Sequence, residues 1–159
     1  MKKQLFCFAI ILVHFSANAQ SMRKNALESK NAIYLSLLGE GTLSAHYNRM
    51  LYEKREFFVD GKIGIGLVSG RGESIGKCIS HSVSANFGQR HSLELGFGGT
   101  YYQASANFYE EEDGYGLYPI MGYKFRSASS RFTFRVSTHP MKPNLSVTWP
   151  ISVSFGLAF

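Results

Sequence analysis

The chain has 159 residues, which is the size of one domain, and its formal net charge is +6. Aromatic residues make up 14% and charged residues 18% of the sequence, a composition that excludes a disordered chain. With so few charged residues there is no dense basic patch, so we expect no nucleic-acid partner.

The first residues of the chain have the pattern of an export signal. Lys2 and Lys3 precede an apolar run from Leu5 to Phe15, which is shorter than the about 20 residues that a transmembrane helix needs. The following Ala17-Asn18-Ala19 matches the small-x-small rule of signal peptidase. This order of segments predicts export and cleavage.

The cleavage point sets the predicted organisation of the chain. We expect a signal peptide over 1–19, a short mature segment over 20–30 and one domain over 31–159. Cleavage removes Cys7, so Cys78 has no second cysteine for an intramolecular disulfide. The mature protein must therefore be stabilised without cross-links.

Alternation with a period of two residues recurs along the mature chain and predicts eight β-strands. The first strands lie near 31–38, 42–51, 57–67 and 79–87, followed by 91–102, 115–126, 132–137 and 149–159. The last of them is the clearest, because large apolar and small side chains alternate up to Phe159. Tyr118 and Ile120 interrupt the pattern of the sixth strand.

The predicted connections alternate in length from the second one onward. The short ones are 52–56, 88–90 and 127–130, and the long ones are 68–78, 103–114 and 140–148. In a closed up-and-down barrel, alternate connections lie at opposite ends, so short turns share one rim and long loops the other. The first connection, Gly39-Glu40-Gly41, is short where this scheme expects a long loop.

Alternation alone permits two kinds of barrel. A soluble, lipocalin-like barrel turns its apolar face inward around a ligand, whereas a membrane barrel turns it outward to lipid. The non-apolar face consists mostly of Gly, Ser, Thr and Asn, which suits the narrow interior of an eight-stranded barrel. We therefore expect the apolar side chains to face lipid.

Aromatic residues gather at the predicted strand ends, as in the two aromatic belts of membrane barrels. One group lies beside the short turns (Tyr52, Phe57, Phe87, Phe125, Phe132 and Phe159) and a smaller group at the opposite ends (Tyr101, Tyr115 and Trp149).

The few charged residues on the polar face predict a lumenal network. Its members are Asp60, Lys62, Glu94, Lys124 and Arg135. An unpaired charge in a narrow interior is costly, so we expect a hydrogen-bonded plug and no open pore.

The export signal, the eight amphipathic strands and the terminal ISVSFGLAF resemble the small outer-membrane β-barrels of Gram-negative bacteria, of the OmpA-barrel and OmpX type. The resemblance implies an all-β, eight-stranded antiparallel up-and-down transmembrane β-barrel in the cell outer membrane. It also implies that Val153, Phe155, Leu157 and Phe159 form the signal read by the barrel-assembly machinery. The expected partners are this machinery, outer-membrane lipid and lipopolysaccharide, and the expected state is a monomer.

Sequence motifs give little support for bound groups. The segment Arg71 to Cys78 lacks the first glycine of a phosphate-binding loop and has Cys78 in place of its Ser or Thr. The acidic run over 110–113 is contiguous, whereas calcium loops space their ligands. Arg71, Lys77 and Lys142 could contact anionic headgroups at the outer side. We expect no cofactor and no metal.

Two Ser/His pairs raise an enzyme alternative. Ser44 with His46, and Ser137 with His139, each share the predicted inward face, and Glu94 could orient a histidine. Some eight-stranded barrels are lipid A-modifying deacylases or acyltransferases. The deacylase-like His-x-Ser order is absent, however, and lone histidines more often have a structural role. We expect a non-enzymatic protein with a structural or surface-interaction role, and keep the lipid A enzyme and a narrow channel as alternatives.

Overall fold

A computed structural model describes residues 26–69, 75–103, 114–140 and 151–159, and these residues form a closed antiparallel barrel. Each strand pairs with the next, and β8 pairs with β1 to close the cylinder. The strands are β1 (Asn31–Leu38), β2 (Leu43–Lys54), β3 (Phe57–Ser69), β4 (Ile75–Phe87), β5 (His91–Gln103), β6 (Gly114–Arg126), β7 (Phe132–Thr138) and β8 (Ile151–Ala158). The predicted eight-stranded up-and-down barrel is confirmed. No helix among these residues is long and apolar enough to cross a membrane.

Several predicted features lie outside the described residues. They are the signal peptide over 1–19, Trp149, Arg71, Lys142 and the acidic run over 110–113.

Some strands are longer than the alternation predicted. The β3–β4 ladder continues through Leu67–Lys77 and Val68–Gly76, so the predicted connection 68–78 was drawn too long. The backbone hydrogen bonds of a ladder do not require apolar side chains, and the hydrophobic pattern therefore ends before the strands do.

Strand β2 likewise runs on to Lys54 and contains an irregularity. Met50 pairs with Asp60 and Tyr52 pairs with Val59, which leaves Leu51 as the extra residue of a β-bulge. Both Leu51 and Tyr52 consequently lie on the outer surface, although they are neighbours in sequence.

The two faces of the wall differ as the alternation predicts. The outer surface is mostly apolar, and Ile65, 67% exposed, is the most open of its apolar side chains. The inner face is buried and is mostly Ser, Thr, Asn and charged residues, with Lys62 6% exposed on the same strand. A barrel with this arrangement presents hydrocarbon to its surroundings and retains polar groups inside.

Three short turns, the end of β8 and the described residues before β1 lie at one rim, which we call the short-turn rim. The opposite end is the long-loop rim. Aromatic rings pack around the short-turn rim, with ring centroids 6.3 Å apart for Tyr52 and Phe57 and 5.3 Å apart for Phe57 and Phe87. The guanidinium of Arg90 lies 5.4 Å from the centre of the Phe125 ring.

Large side chains also enter the lumen, where the sequence suggested mainly short ones. Tyr118, Ile120 and Phe58 are almost fully buried there. Glycine makes room for the Tyr118 ring, because a Cβ on Gly98 would lie 2.8 Å from Tyr118 Cε2. The interruptions at Tyr118 and Ile120 are thus inward-facing packing residues.

Candidate functional site

Ionisable side chains fill the middle of the lumen, and all five residues of the predicted network are buried in it. Lys124 donates a hydrogen bond to the Asp60 carboxylate. Arg135 Nε donates to Glu94 Oε2 at 2.5 Å. The first pair joins β3 to β6 and the second joins β5 to β7, so each pair connects strands that are not neighbours in the wall.

The remaining cation of the predicted network, Lys62, pairs with a carboxylate outside that network. Lys62 Nζ lies 2.6 Å from Glu40 Oε1, and both side chains are buried. The predicted network held three cations but two carboxylates, and this imbalance was the available signal that a third acid enters the lumen.

Glu40 reaches the lumen because the first connection folds over the long-loop end. Leu38 and Gly39 both have positive φ, at 63° and 84°. A Cβ on Gly39 would lie 2.5 Å from Ser152 Cβ, so glycine is required there for the close approach of the turn to β8. The short first connection is therefore an inward-folded turn, which explains its departure from the long-loop pattern.

Two histidines flank the Glu40 carboxylate. His46 Nδ1 lies 3.5 Å from Oε2, and His139 Nε2 lies 3.6 Å from Oε1. Burial alone would raise the pKa of Glu40, but Lys62, His46 and His139 together hold it well below its usual range. Three nitrogen-bearing side chains therefore enclose the Glu40 carboxylate.

The predicted Ser/His pairs are in contact. Ser44 Oγ lies 2.7 Å from His46 Nε2, and Ser137 Oγ lies 3.5 Å from His139 Nε2. Glycine at position 64 leaves space for the imidazole, because a Cβ there would overlap the His46 ring.

The carboxylate next to these histidines is Glu40 and not the predicted Glu94. Glu94 pairs with Arg135, whereas Glu40 lies beside His46, so Ser44, His46 and Glu40 follow one another as in a Ser-His-acid triad. All three are buried, and Lys62 already binds the carboxylate.

The short-turn end of the lumen is closed by packing. The Arg126 guanidinium lies 4.1 Å and the Lys124 ammonium 5.4 Å from the centre of the Phe58 ring. The segment before β1 covers this end, where Ala26 is 1% exposed and its N–H donates to the carbonyl of Ser130 at 2.8 Å. A cavity of about 20 Å³ remains beneath it, enough for about one water molecule.

The other predicted site residues lie apart from this cluster. Phe155, Leu157 and Phe159 are exposed on the outer face of the last strand and beyond its end, and Val153 is half-buried there. Lys77 is exposed near the long-loop rim, opposite Gln103. Within the described ranges, no three His, Cys, Asp or Glu side chains are arranged to hold a metal ion.

Comparison with solved structures identifies a similar fold. The chain is similar to the outer membrane protein Ail of Yersinia pestis, whose backbone structure was determined in a phospholipid bilayer nanodisc. The TM-score is 0.55 and the sequence identity 16%, over 83% of this chain and 100% of that chain. No protein-family model and no curated protein matches the sequence significantly.

This likeness supports the class of fold that the sequence predicted. The chain is a closed eight-stranded antiparallel barrel of the kind found in an outer membrane protein. At 16% identity the comparison concerns the fold and assigns no residue a role.

Proposed function

We propose that this chain is exported by its N-terminal signal and spans the cell outer membrane as a sealed, monomeric, non-enzymatic barrel. Its role is structural or one of surface interaction. The observation that carries the proposal is the combination of a lipid-compatible outer wall with a lumen that holds three buried ion pairs. The export signal and the likeness to an outer membrane protein support the location.

The sealed lumen follows from the cost of separating buried charges. An ion crossing the barrel would have to pass Glu40, held by Lys62, and then the Glu94–Arg135 and Asp60–Lys124 pairs. Removing one partner from a buried pair costs about 3–5 kcal/mol. We therefore expect no ion conduction through the native barrel.

Surface interaction is then left to the connections at the long-loop rim, which faces the exterior in this orientation. They fall within the predicted ranges 68–78, 103–114 and 140–148, and lipopolysaccharide is the neighbour they would meet. Assembly would depend on the terminal residues, which the barrel-assembly machinery would read in the unfolded chain.

Two measurements test this proposal. In cell fractionation, the full chain should remain in the detergent-extracted envelope and should change gel mobility on boiling. In planar bilayers, the purified barrel should give no single-channel current. Release into the periplasm without detergent would refute the membrane location, and steady conductance would refute the sealed lumen.

A second candidate function is hydrolysis or transfer of a lipid acyl group. The observation that favours it is the 2.7 Å contact between Ser44 Oγ and His46 Nε2, with Glu40 beside the ring. A fluorophosphonate probe should then label the full chain, and Ser44→Ala should abolish labelling. Ser137→Ala is the matched control. Absence of labelling in the folded barrel would favour the non-enzymatic role.

A further inference from the structure

One cation interrupts the apolar outer wall near the short-turn rim. Arg49 is exposed on β2, between the outward-facing Tyr47 and Leu51, and is opposite Asn31 and Gly61 in the ladders. Among the described residues it has no acidic partner. A guanidinium within the apolar belt is costly unless it reaches an interface or an anion.

The wall beside Arg49 is recessed. Gly61 has no side chain of its own, although the flexible Leu51 side chain lies beside its position. From there a groove of about 420 Å³ continues across neighbouring strands. Its sides are large apolar residues that are more than half exposed: Leu51, Ile63, Val83, Phe97 and Leu117. The groove thus has a charged residue at one end and apolar side chains along the rest of it.

The other polar groups along the groove already have partners. Tyr47 donates its hydroxyl hydrogen to Asn31 Oδ1 at 2.8 Å. His81 Nε2 lies 3.0 Å from the Tyr115 hydroxyl, and the two rings stack. Arg49 is therefore the polar group that the groove offers to a ligand.

We propose that this groove binds one glycerophospholipid of the inner leaflet. Its phosphate would accept hydrogen bonds from the Arg49 guanidinium, and one acyl chain would lie along the groove past Gly61. Arginine matches phosphate in charge and in its forked geometry, and the apolar sides match an acyl chain. The leaflet follows from the short-turn rim facing the periplasm, so this inference rests on the proposed function.

Native mass spectrometry of the full chain, titrated with phosphatidylglycerol in detergent, tests the site. The wild type should retain one lipid, and Arg49→Gln should weaken retention about tenfold, the effect expected for one lost charge-assisted contact. Lys54→Gln removes an exposed cation from the same strand outside the groove and should retain lipid as the wild type does.

A second variant tests the groove itself. Gly61→Leu fills the recess and keeps Arg49, so it should also lose the bound lipid. If Gly61→Leu fails to fold, the comparison of Arg49→Gln with Lys54→Gln still tests whether Arg49 binds the lipid.

Equal retention by wild type and Arg49→Gln would overturn the site, as would an equal loss in Lys54→Gln or a dimer in place of the lipid complex. An Arg49-dependent complex with lipopolysaccharide alone would overturn the leaflet. If the wild type retains no lipid but still fractionates with the envelope and changes gel mobility on boiling, the site is refuted and the proposed function is not.

Discussion

The outer and inner walls of the barrel are built from alternate residues of the same strands, but they are specified in different ways. Outward positions such as Ile63, Leu95 and Leu117 hold large, exposed apolar side chains that do not depend on a particular partner on the next strand. Inward positions depend on particular partners, as Asp60 does on Lys124 and His46 on Gly64. The stability of the barrel should therefore fall when a charge is added to the outer wall or when one partner of a contact is removed from the inner wall.

The largest effect should come from breaking an inner pair. Asp60→Ala leaves the Lys124 ammonium buried without its carboxylate, which should destabilise the barrel by about 3–5 kcal/mol. Urea titration in lipid vesicles measures this. Combining Asp60→Ala with Lys124→Met should recover much of the loss, and an additive further loss in the double variant would contradict pairing as the cause.

A charge on the outer wall should be next in size. Leu95 is exposed in the middle third of β5, so Leu95→Arg should cost about 2–4 kcal/mol or block assembly. Folding yield into vesicles and the heat-modifiable band report the outcome. Normal folding and stability of this variant would mean that the position does not face lipid.

The same glycine-to-alanine substitution at two positions of β3 compares the inner wall with the outer wall. Gly64→Ala would force the His46 ring to move and should cost about 1–3 kcal/mol. Gly61→Ala faces outward, where its Cβ would meet the flexible Leu51 side chain at 3.2 Å, and should be tolerated. The difference between their unfolding midpoints is the measurement, and equal midpoints would count against the tight inner packing.

The smallest change should follow loss of one lumenal hydroxyl. Ser84 is buried and small, and Ser84→Ala should cost about 0.5–1.5 kcal/mol, the range for a single hydrogen bond. The same urea titration checks it against Leu95→Arg. A cost as large as that of Leu95→Arg would contradict the assignment of faces.

Strand number, antiparallel order and the orientation of the faces could be predicted from sequence because they depend on local alternation. The bulge at Leu51 could not, because an extra residue changes the period without a distinctive composition. The inward fold of Glu40 also escaped prediction, since it depends on the φ angles of Leu38 and Gly39 and on long-range contacts with Lys62 and His139. In the sequence, the inward position of Glu40 was indicated only by the excess of predicted lumenal cations over carboxylates.

A membrane location requires that the apolar outer wall of the barrel faces lipid and that the polar inner wall is sealed from lipid. Ile63 and Ile120 are each the middle residue of a 13-residue strand, but Ile63 is 62% exposed outside and Ile120 is 2% exposed inside. Methyl NMR of the barrel in nanodiscs carrying a lipid spin-labelled near the chain end compares them directly. The Ile63 methyl signal should broaden much more strongly than the Ile120 methyl signal. Equal broadening, or the reverse, would contradict the membrane location.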